Sequence, residues 1–423
     1  MKNLNSKSRT SRSSRLLTAP LSRRGAVLSY AAFAVALAAA PGAWAQANNP
    51  LKIGIISDMS GFVADLSGPG SVVAAKLAID DFGGKVLNRP IELLQADHLN
   101  KPDTGLTIAR QWYDGGVRAI FDIGITTVAA GVQDLAKEKN RIAIFNSSAS
   151  SDLTGKMCSP NGIHWAYNNY SQALGAVKGN LDAGGKTWYF ITVDYTYGKN
   201  VQRDTTAMIE AGGGSVVGST THPLSSFEFS SQLLQAQASK ANVIALATTT
   251  SHAAAMIKQA DEFGIRAGGQ KLAALSLSLH DVKALGLKAA QDLYITEPYY
   301  WDQNAETRKF ADRYKALYGG KMPNFVQASV YGAVTHYLKA VAAAGTDDTA
   351  AVMAKMKATP INDMMTKNGR IREDGRVIRE NYVFRVKKPS ESRNEWDLYT
   401  PVSTIAANVS FQPADKTVCP LVK

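Results

Sequence analysis

Two loops rich in small hydroxyl residues are the stretches of this sequence best suited to hold a ligand. Residues Arg141 to Gly155 run from a short apolar segment, Ile142 to Phe145, straight into Ser147, Ser148, Ala149, Ser150 and Ser151. One unit earlier, Ala119 to Ile123 empties into Gly124-Ile-Thr-Thr127, which offers Thr126 and Thr127. Hydroxyls both donate and accept, and several converging on one crevice suit a carboxylate. Any one of these residues taken alone fits a helix cap equally well. It is the pair of loops that points to a ligand.

The common catalytic signatures are missing. No G-x-S-x-G elbow is present, and no H-E-x-x-H, C-x-x-C, phosphate-binding G-x-x-x-x-G-K-[ST] or dinucleotide G-x-G-x-x-G occurs. The six histidines are scattered singly, so neither a metal centre nor a cofactor is called for. His280 alone closes an apolar run, Leu275-Ser-Leu-Ser-Leu-His280, at the end of a predicted strand, from where it can reach a crevice or serve as a cap. Tyr195 and Tyr197 leave another predicted strand and can cover the apolar face of a ligand while offering a hydroxyl.

The elements that must position these residues follow an alternating pattern. Strand-length apolar runs at Leu51 to Ser57, Ile91 to Asp97, Ala119 to Ile123 and Ile142 to Phe145 are separated by amphipathic helical segments. The pattern restarts with a helix from Tyr170 to Ala183 and strands at Trp188 to Val193, Ser215 to Thr221, Asn242 to Ala247, Leu272 to Leu275 and Leu293 to Thr296. Helices follow over Glu306 to Tyr318, Phe325 to Ala344 and Thr349 to Lys357, then strands near Tyr382 to Val386 and Trp396 to Leu398, with a tail from Pro401 onward. Such alternation predicts parallel sheets, and ligands of open α/β sheets sit beyond the carboxyl ends of the strands. The expected fold is α/β, with two doubly wound lobes of similar size.

With 423 residues, 45% of them hydrophobic, the chain can fill two cores. Its first 45 residues read as a signal peptide: Lys2 to Arg24 carries seven cations and no acid, Ala26 to Ala40 is apolar, and Ala43-Trp44-Ala45 predicts cleavage before Gln46. Arg23-Arg24 also suits the twin-arginine route. Seven of the 47 lysines and arginines lie in this segment, so the net charge of +12 falls to +5, 40 bases against 35 acids. No basic block or stripe remains, which argues against nucleic acid as a partner. In an exported protein the two cysteines, Cys158 and Cys419, read as one disulfide holding the tail to a loop near mid-chain.

Gly54-Ile-Ile-Ser-Asp-Met-Ser-Gly61, Ala78-Ile-Asp-Asp-Phe-Gly-Gly84, the Ser148-Ala149-Ser150 loop with Asp152-Leu-Thr154, and Tyr197-Gly198 together resemble periplasmic substrate-binding proteins of the leucine/isoleucine/valine-binding type. The resemblance covers nearly all of Asn49 to Lys423. It implies a type I periplasmic-binding clamshell joined by a three-strand hinge, with lobes at 46–168 plus 297–379 and at 169–296 plus 380–423. It also implies a monomer that serves ABC permease subunits in the inner membrane and performs no catalysis. Carried over by position, the family's carboxylate-binding hydroxyl falls on Thr127 and its donors after the fourth strand on Ser148 and Ser150, with the neighbouring Thr126 and Ala149 included in the expected ligand site. Its second-lobe tyrosine falls on Tyr197 and a further second-lobe contact on Thr249 or Thr250, and the first-lobe aromatic of amino-acid binders is replaced by Leu66.

The acid that pairs with an amino acid's ammonium should lie near Leu275 to Leu279, where there is none. Ser278 to Gly286, Glu297-Pro-Tyr-Tyr-Trp301 and Cys158-Ser-Pro160 are similar to the branch of the family that takes benzoate- or cinnamate-like acids. On that reading Thr127, Ser148 and Ser150 hold the carboxylate, Leu66 and Tyr197 cover the ring, and Ser276 or His280 meets a ring hydroxyl. The alternatives are a branched-chain amino acid receptor and a periplasmic sensor of the same fold.

Overall fold

The computed structural model describes residues 49–422. The predicted signal segment and its cleavage site lie outside the described residues.

Strands β1 (Leu51–Ser57), β2 (Lys85–Val86), β3 (Arg89–Asp97), β4 (Ala119–Asp122), β5 (Ile142–Phe145) and β6 (Gly162–His164) form one sheet in the order β2-β3-β1-β4-β5-β6. All its pairings are parallel except that of β2. Helices α1 (Gly68–Asp81), α2 (Pro102–Asp114) and α3 (Thr126–Glu138) make the crossovers. Beyond α4 (Asn169–Asp182), strands β7 (Thr187–Val193), β8 (Ser215–His222), β9 (Val243–Ala247) and β10 (Lys271–Ala274) build a second parallel sheet in the order β10-β9-β7-β8. Its helices are α5 (Thr196–Ala211), α6 (Ser230–Ala238), α7 (Thr250–Glu262), α8 (Leu279–Leu285) and α9 (Leu287–Ala290). The core strands β4, β5 and β9 are buried at every position, as strands covered by helices on both faces must be.

The chain then passes through β11 (Tyr294–Glu297) to α10 (Ala305–Leu317), α11 (Phe325–Ala344) and α12 (Thr349–Ala358). Helices α10 and α11 pack on α1, and the Phe121 and Tyr337 rings meet edge to face at 5.6 Å. A short antiparallel pair, β12 (Arg370–Ile371) and β13 (Val377–Ile378), leads to β14 (Asn381–Val386) and β15 (Tyr399–Ile405). Strand β14 lies between β11 and β15 in a three-stranded antiparallel sheet. The result is a clamshell of two α/β lobes, one around each parallel sheet.

The expectations near the C-terminus need correction. Trp396 to Leu398 is irregular rather than a strand, and the strand begins at Tyr399 and includes Pro401, where the sequence places the start of the tail held by Cys419. Strand β15 pairs only with β14, at the sheet edge, and the register shifts between Val383 and Phe384 opposite this stretch. Those are the conditions under which a sheet tolerates a proline. Beyond it, Cys158 and Cys419 form the expected disulfide, their Cα atoms 5.7 Å apart.

Candidate functional site

The two lobes meet over a cavity of about 60 Å³ at the carboxyl ends of both parallel sheets. From the first lobe it is lined by Phe62, Val63, Leu66 and Ser67 after β1, by Gly124, Ile125 and Thr126 after β4, by Ser147, Ser148 and Ala149 after β5, and by Tyr167 after β6. The second lobe contributes Tyr195, Tyr197, Leu224, Thr249, Thr250 and Ser276. No aspartate, glutamate, lysine, arginine or histidine is among these residues.

Backbone geometry shapes each wall. The Asp58 carboxylate accepts from the N–H groups of Gly61 and Val63 (2.6 and 3.0 Å) and from Asn100 Nδ2 (3.0 Å), curling the loop that presents Phe62 and Leu66. After β4 the chain is strained: Asp122, Ile123 and Ile125 adopt φ of 74°, 49° and 54°. Left-handed backbone at a β-branched residue is costly, and such strain gathers at binding sites. Gly198 allows the first turn of α5 to sit on the tip of β7, because a Cβ there would lie 2.3 Å from Val193 O. That close seat brings Tyr195 and Tyr197 to the cavity.

The serine loop has its carbonyls occupied by the protein itself. Ser147 O accepts from the Tyr167 hydroxyl (2.8 Å), Ser148 O from His164 Nε2 (2.7 Å) and Ala149 O from Asn169 N (2.7 Å). Burial holds His164 neutral, far below the usual histidine range, with Arg376 acting in the same direction. The hydroxyls of Ser147 and Ser148, by contrast, are buried without a partner. The N-termini of α3, α5 and α7 also reach the lining through Thr126, Tyr195 with Tyr197, and Thr249 with Thr250, and none of the three carries a side-chain cap. Uncapped first-turn N–H groups and the helix dipole favour an anion. Burial pushes the Tyr197 phenol up to about 12, against the effect of the Ser276 hydroxyl, so it too remains a donor.

Of the predicted site residues, Leu66, Thr126, Ser148, Ala149, Tyr197, Thr249, Thr250 and Ser276 line the cavity, and three do not. Thr127, one residue further round α3 than Thr126, pairs its hydroxyl with that of Tyr195 at 3.1 Å. Ser150 Oγ accepts from Asn200 Nδ2 at 3.0 Å, within a clasp in which Asn200 and Arg203 also hold Asp152 and Ser151 bonds Asp204. His280 is not on a strand end: β10 stops at Ala274, and His280 lies in the first turn of α8. Its ring nitrogens face Asp65 O (2.8 Å) and Met322 O (2.7 Å), both on the first lobe.

Ser147 and Tyr195, which the sequence places at the crevice, also line the cavity, and the lining residues that sequence reasoning did not single out are Phe62, Val63, Ser67, Gly124, Ile125, Tyr167 and Leu224. Phe62 lines the first-lobe wall together with Leu66, so that wall carries an aromatic ring as well as the leucine. The first acid beyond Leu275 to Leu279 is Asp281, whose carboxylate accepts from Ser278 N at 2.9 Å and from the Ser278 hydroxyl and is not among the lining residues.

A periplasmic binding protein family profile matches residues 50–392. A Leu/Ile/Val-binding protein homolog of Brucella abortus is 24% identical over 313 residues, 71% of this chain and 73% of the relative. The crystal structure of a periplasmic binding protein from Burkholderia mallei superposes with a TM-score of 0.86 at 43% identity, covering 88% of this chain and 99% of the other. A branched-chain amino acid ABC transporter periplasmic ligand-binding protein from Burkholderia xenovorans gives 0.80 at 38%, covering 88% and 100%. At 22% identity only the fold is shared with an ABC transporter solute-binding protein from Rhodopseudomonas palustris in complex with 3,4-dihydroxybenzoic acid, at a TM-score of 0.76 over 85% and 98%.

Proposed function

The chain belongs to the periplasmic binding protein family, in its Leu/Ile/Val-binding type, and from that premise we propose that its cavity traps a small aromatic carboxylate for an ABC permease. Membership makes it a substrate-binding component of ABC transport. The ligand class is our reading, and the absence of any charged side chain from the lining is the observation that carries it. An amino acid brings an ammonium that would be buried there without a counter-charge, at a cost of several kcal/mol. A carboxylate meets the unpartnered Ser147 and Ser148 hydroxyls and the uncapped first turns of α3, α5 and α7, while Phe62, Leu66, Ile125, Tyr195 and Tyr197 offer a ring its apolar surroundings.

On this reading the chain is exported to the periplasm by its N-terminal segment. The lobes divide at 46–168 plus 297–379 and 169–296 plus 380–423, and they close about the three connections between them. Binding ends in release to a permease rather than in chemistry. A branched-chain amino acid is the second reading, favoured by what the Burkholderia xenovorans and Brucella relatives are said to bind.

Thermal shift with benzoate, 4-hydroxybenzoate, 3,4-dihydroxybenzoate and cinnamate against leucine, isoleucine and valine separates the two. A ligand at a hundredfold excess over its Kd adds about 2.7 kcal/mol of stability. Stabilisation by the aromatic acids alone is expected. Stabilisation by the amino acids alone overturns the proposal.

A further inference from the structure

Directly behind the serine loop stands a carboxyl group that the site as described does not use. Asp122 is fully buried at the end of β4, and neither of its oxygens completes a hydrogen bond in the observed geometry. The side chains beside it are hydroxyls, with no lysine or arginine among them: Ser147, whose N–H donates to Asp122 O at 3.2 Å, Ser71, and Ser57, whose own proton goes to Ser67 Oγ at 3.0 Å. Ser71 and Ser147 are themselves buried without a partner, and Ser147 lines the cavity.

The titratable groups on the neighbouring elements are accounted for. Asp58, after β1, is held by Gly61, Val63 and Asn100. His98, after β3, accepts from Asn100 N at 3.0 Å through Nδ1, and burial holds it neutral. Tyr167, beyond β6, is committed to Ser147 O. Helix α11 contributes Ser329, which accepts from Asn146 Nδ2, and Tyr337, whose ring packs on Phe121 and whose phenol burial keeps protonated.

A hydroxyl has one proton to give. If Asp122 is ionised, Ser147 donates to it and shows the cavity only lone pairs. If Asp122 is protonated, it donates to Ser147 Oγ, and the serine proton is released toward the cavity. We propose that Asp122 and Ser147 form a proton-linked specificity switch, in which an anionic ligand enters together with one proton taken up by Asp122. The inference rests on the carboxylate reading above. Burial already works in its favour, pushing the Asp122 carboxyl up to about 6. An anion placed beyond Ser147 pushes the same way by like-charge repulsion.

The test is calorimetry of benzoate and 4-hydroxybenzoate binding from about pH 5.5 to 8.5, in buffers of different ionisation enthalpy. The wild type should take up close to one proton per ligand at the alkaline end, where Kd weakens by up to about tenfold per pH unit. Asp122→Asn should bind with no proton uptake and a flat pH profile. Its amide mimics the protonated acid, and asparagine tolerates the φ of 74° at this position. A flat wild-type profile, or an Asp122→Asn profile that keeps the wild-type slope, overturns the switch. So does benzoate affinity that tightens as pH rises, which would mean that binding releases a proton instead of taking one up.

If neither acid binds, it is the carboxylate reading that has failed, and the ligand-free proteins still test Asp122. Because its folded-state pKa is raised, stability conferred by the protonated form is lost as pH rises from about 4 through 6. The wild type should therefore lose Tm across that interval relative to Asp122→Asn. Parallel curves overturn the proton assignment as well.

Discussion

His280→Phe should weaken ligand binding without touching the ligand. The histidine ring is 8% exposed and spans the cleft from α8, one nitrogen on Asp65 O at 2.8 Å and the other on Met322 O at 2.7 Å. Phenylalanine retains the size of the ring and its edge contact with Trp396, now at 5.5 Å, but donates nothing. Asp65 O keeps Asn324 Nδ2 (3.2 Å) and Gln327 Nε2 (3.1 Å), so its loss is small. Met322 O has no other side-chain donor among the described residues, and an acceptor left buried and unpaired costs about 1–3 kcal/mol. A total near 2 kcal/mol is expected, and it falls on the closed form alone because the partners sit on different lobes. That converts to a Kd about 30-fold weaker, expressed mainly in a faster koff. Titration calorimetry and stopped-flow release of the best acid from the thermal-shift panel measure it. A Kd within twofold of wild type refutes the reasoning, as does a loss of Tm as large without ligand as with it.

Other outcomes follow from the same geometry. Ser148→Ala removes a buried hydroxyl that has no partner, so the ligand-free Tm should hold or rise. Carboxylate affinity should meanwhile drop roughly 10- to 100-fold in calorimetry, the worth of a hydrogen bond to a charged group. Replacing both Cys158 and Cys419 by serine opens a loop of 261 residues and should cost about 2–5 kcal/mol in denaturant unfolding. Ligand Kd should stay within twofold, because neither residue lines the cavity. His252 is pushed down to about 4 by burial and by the neighbouring His222, so it stays neutral in the fold while the unfolded chain protonates near pH 6.5. Stability should therefore fall as pH drops from about 6.5 toward 4, and His252→Gln should flatten that slope in thermal melts.

The two parallel sheets were legible because buried strands such as Ile142 to Phe145 are unbroken apolar runs between amphipathic helices. Strands of two or three residues, β2, β6, β12 and β13, carry no period to detect. Leu275-Ser-Leu-Ser-Leu alternates as a strand should, yet Ser278 and Asp281 form a capping box that starts α8. That S-x-x-D spacing was visible and would have moved His280 onto the helix. The serine and threonine loops were read at the right strand ends, but neighbouring residues diverge: Thr126 faces the cavity and Thr127 its rim, Ser148 the cavity and Ser150 the clasp. Single-residue orientation depends on where a helix begins, and α3 begins at Thr126, inside the stretch read as a loop. Phe62, Tyr167 and Leu224 lie in irregular segments whose course is set by contacts such as those of Asp58, and nothing periodic announces them.

The uncapped starts of α3, from one lobe, and of α5 and α7, from the other, look at each other across the same small space. Their partial positive charges repel, the more strongly as the closing lobes exclude water from between them. An empty jaw therefore carries its own spring, pressing the halves apart, and a negatively charged guest both fills the gap and cancels the push. Occupancy and shape become one signal, which is what a membrane partner needs in order to tell a loaded carrier from a vacant one.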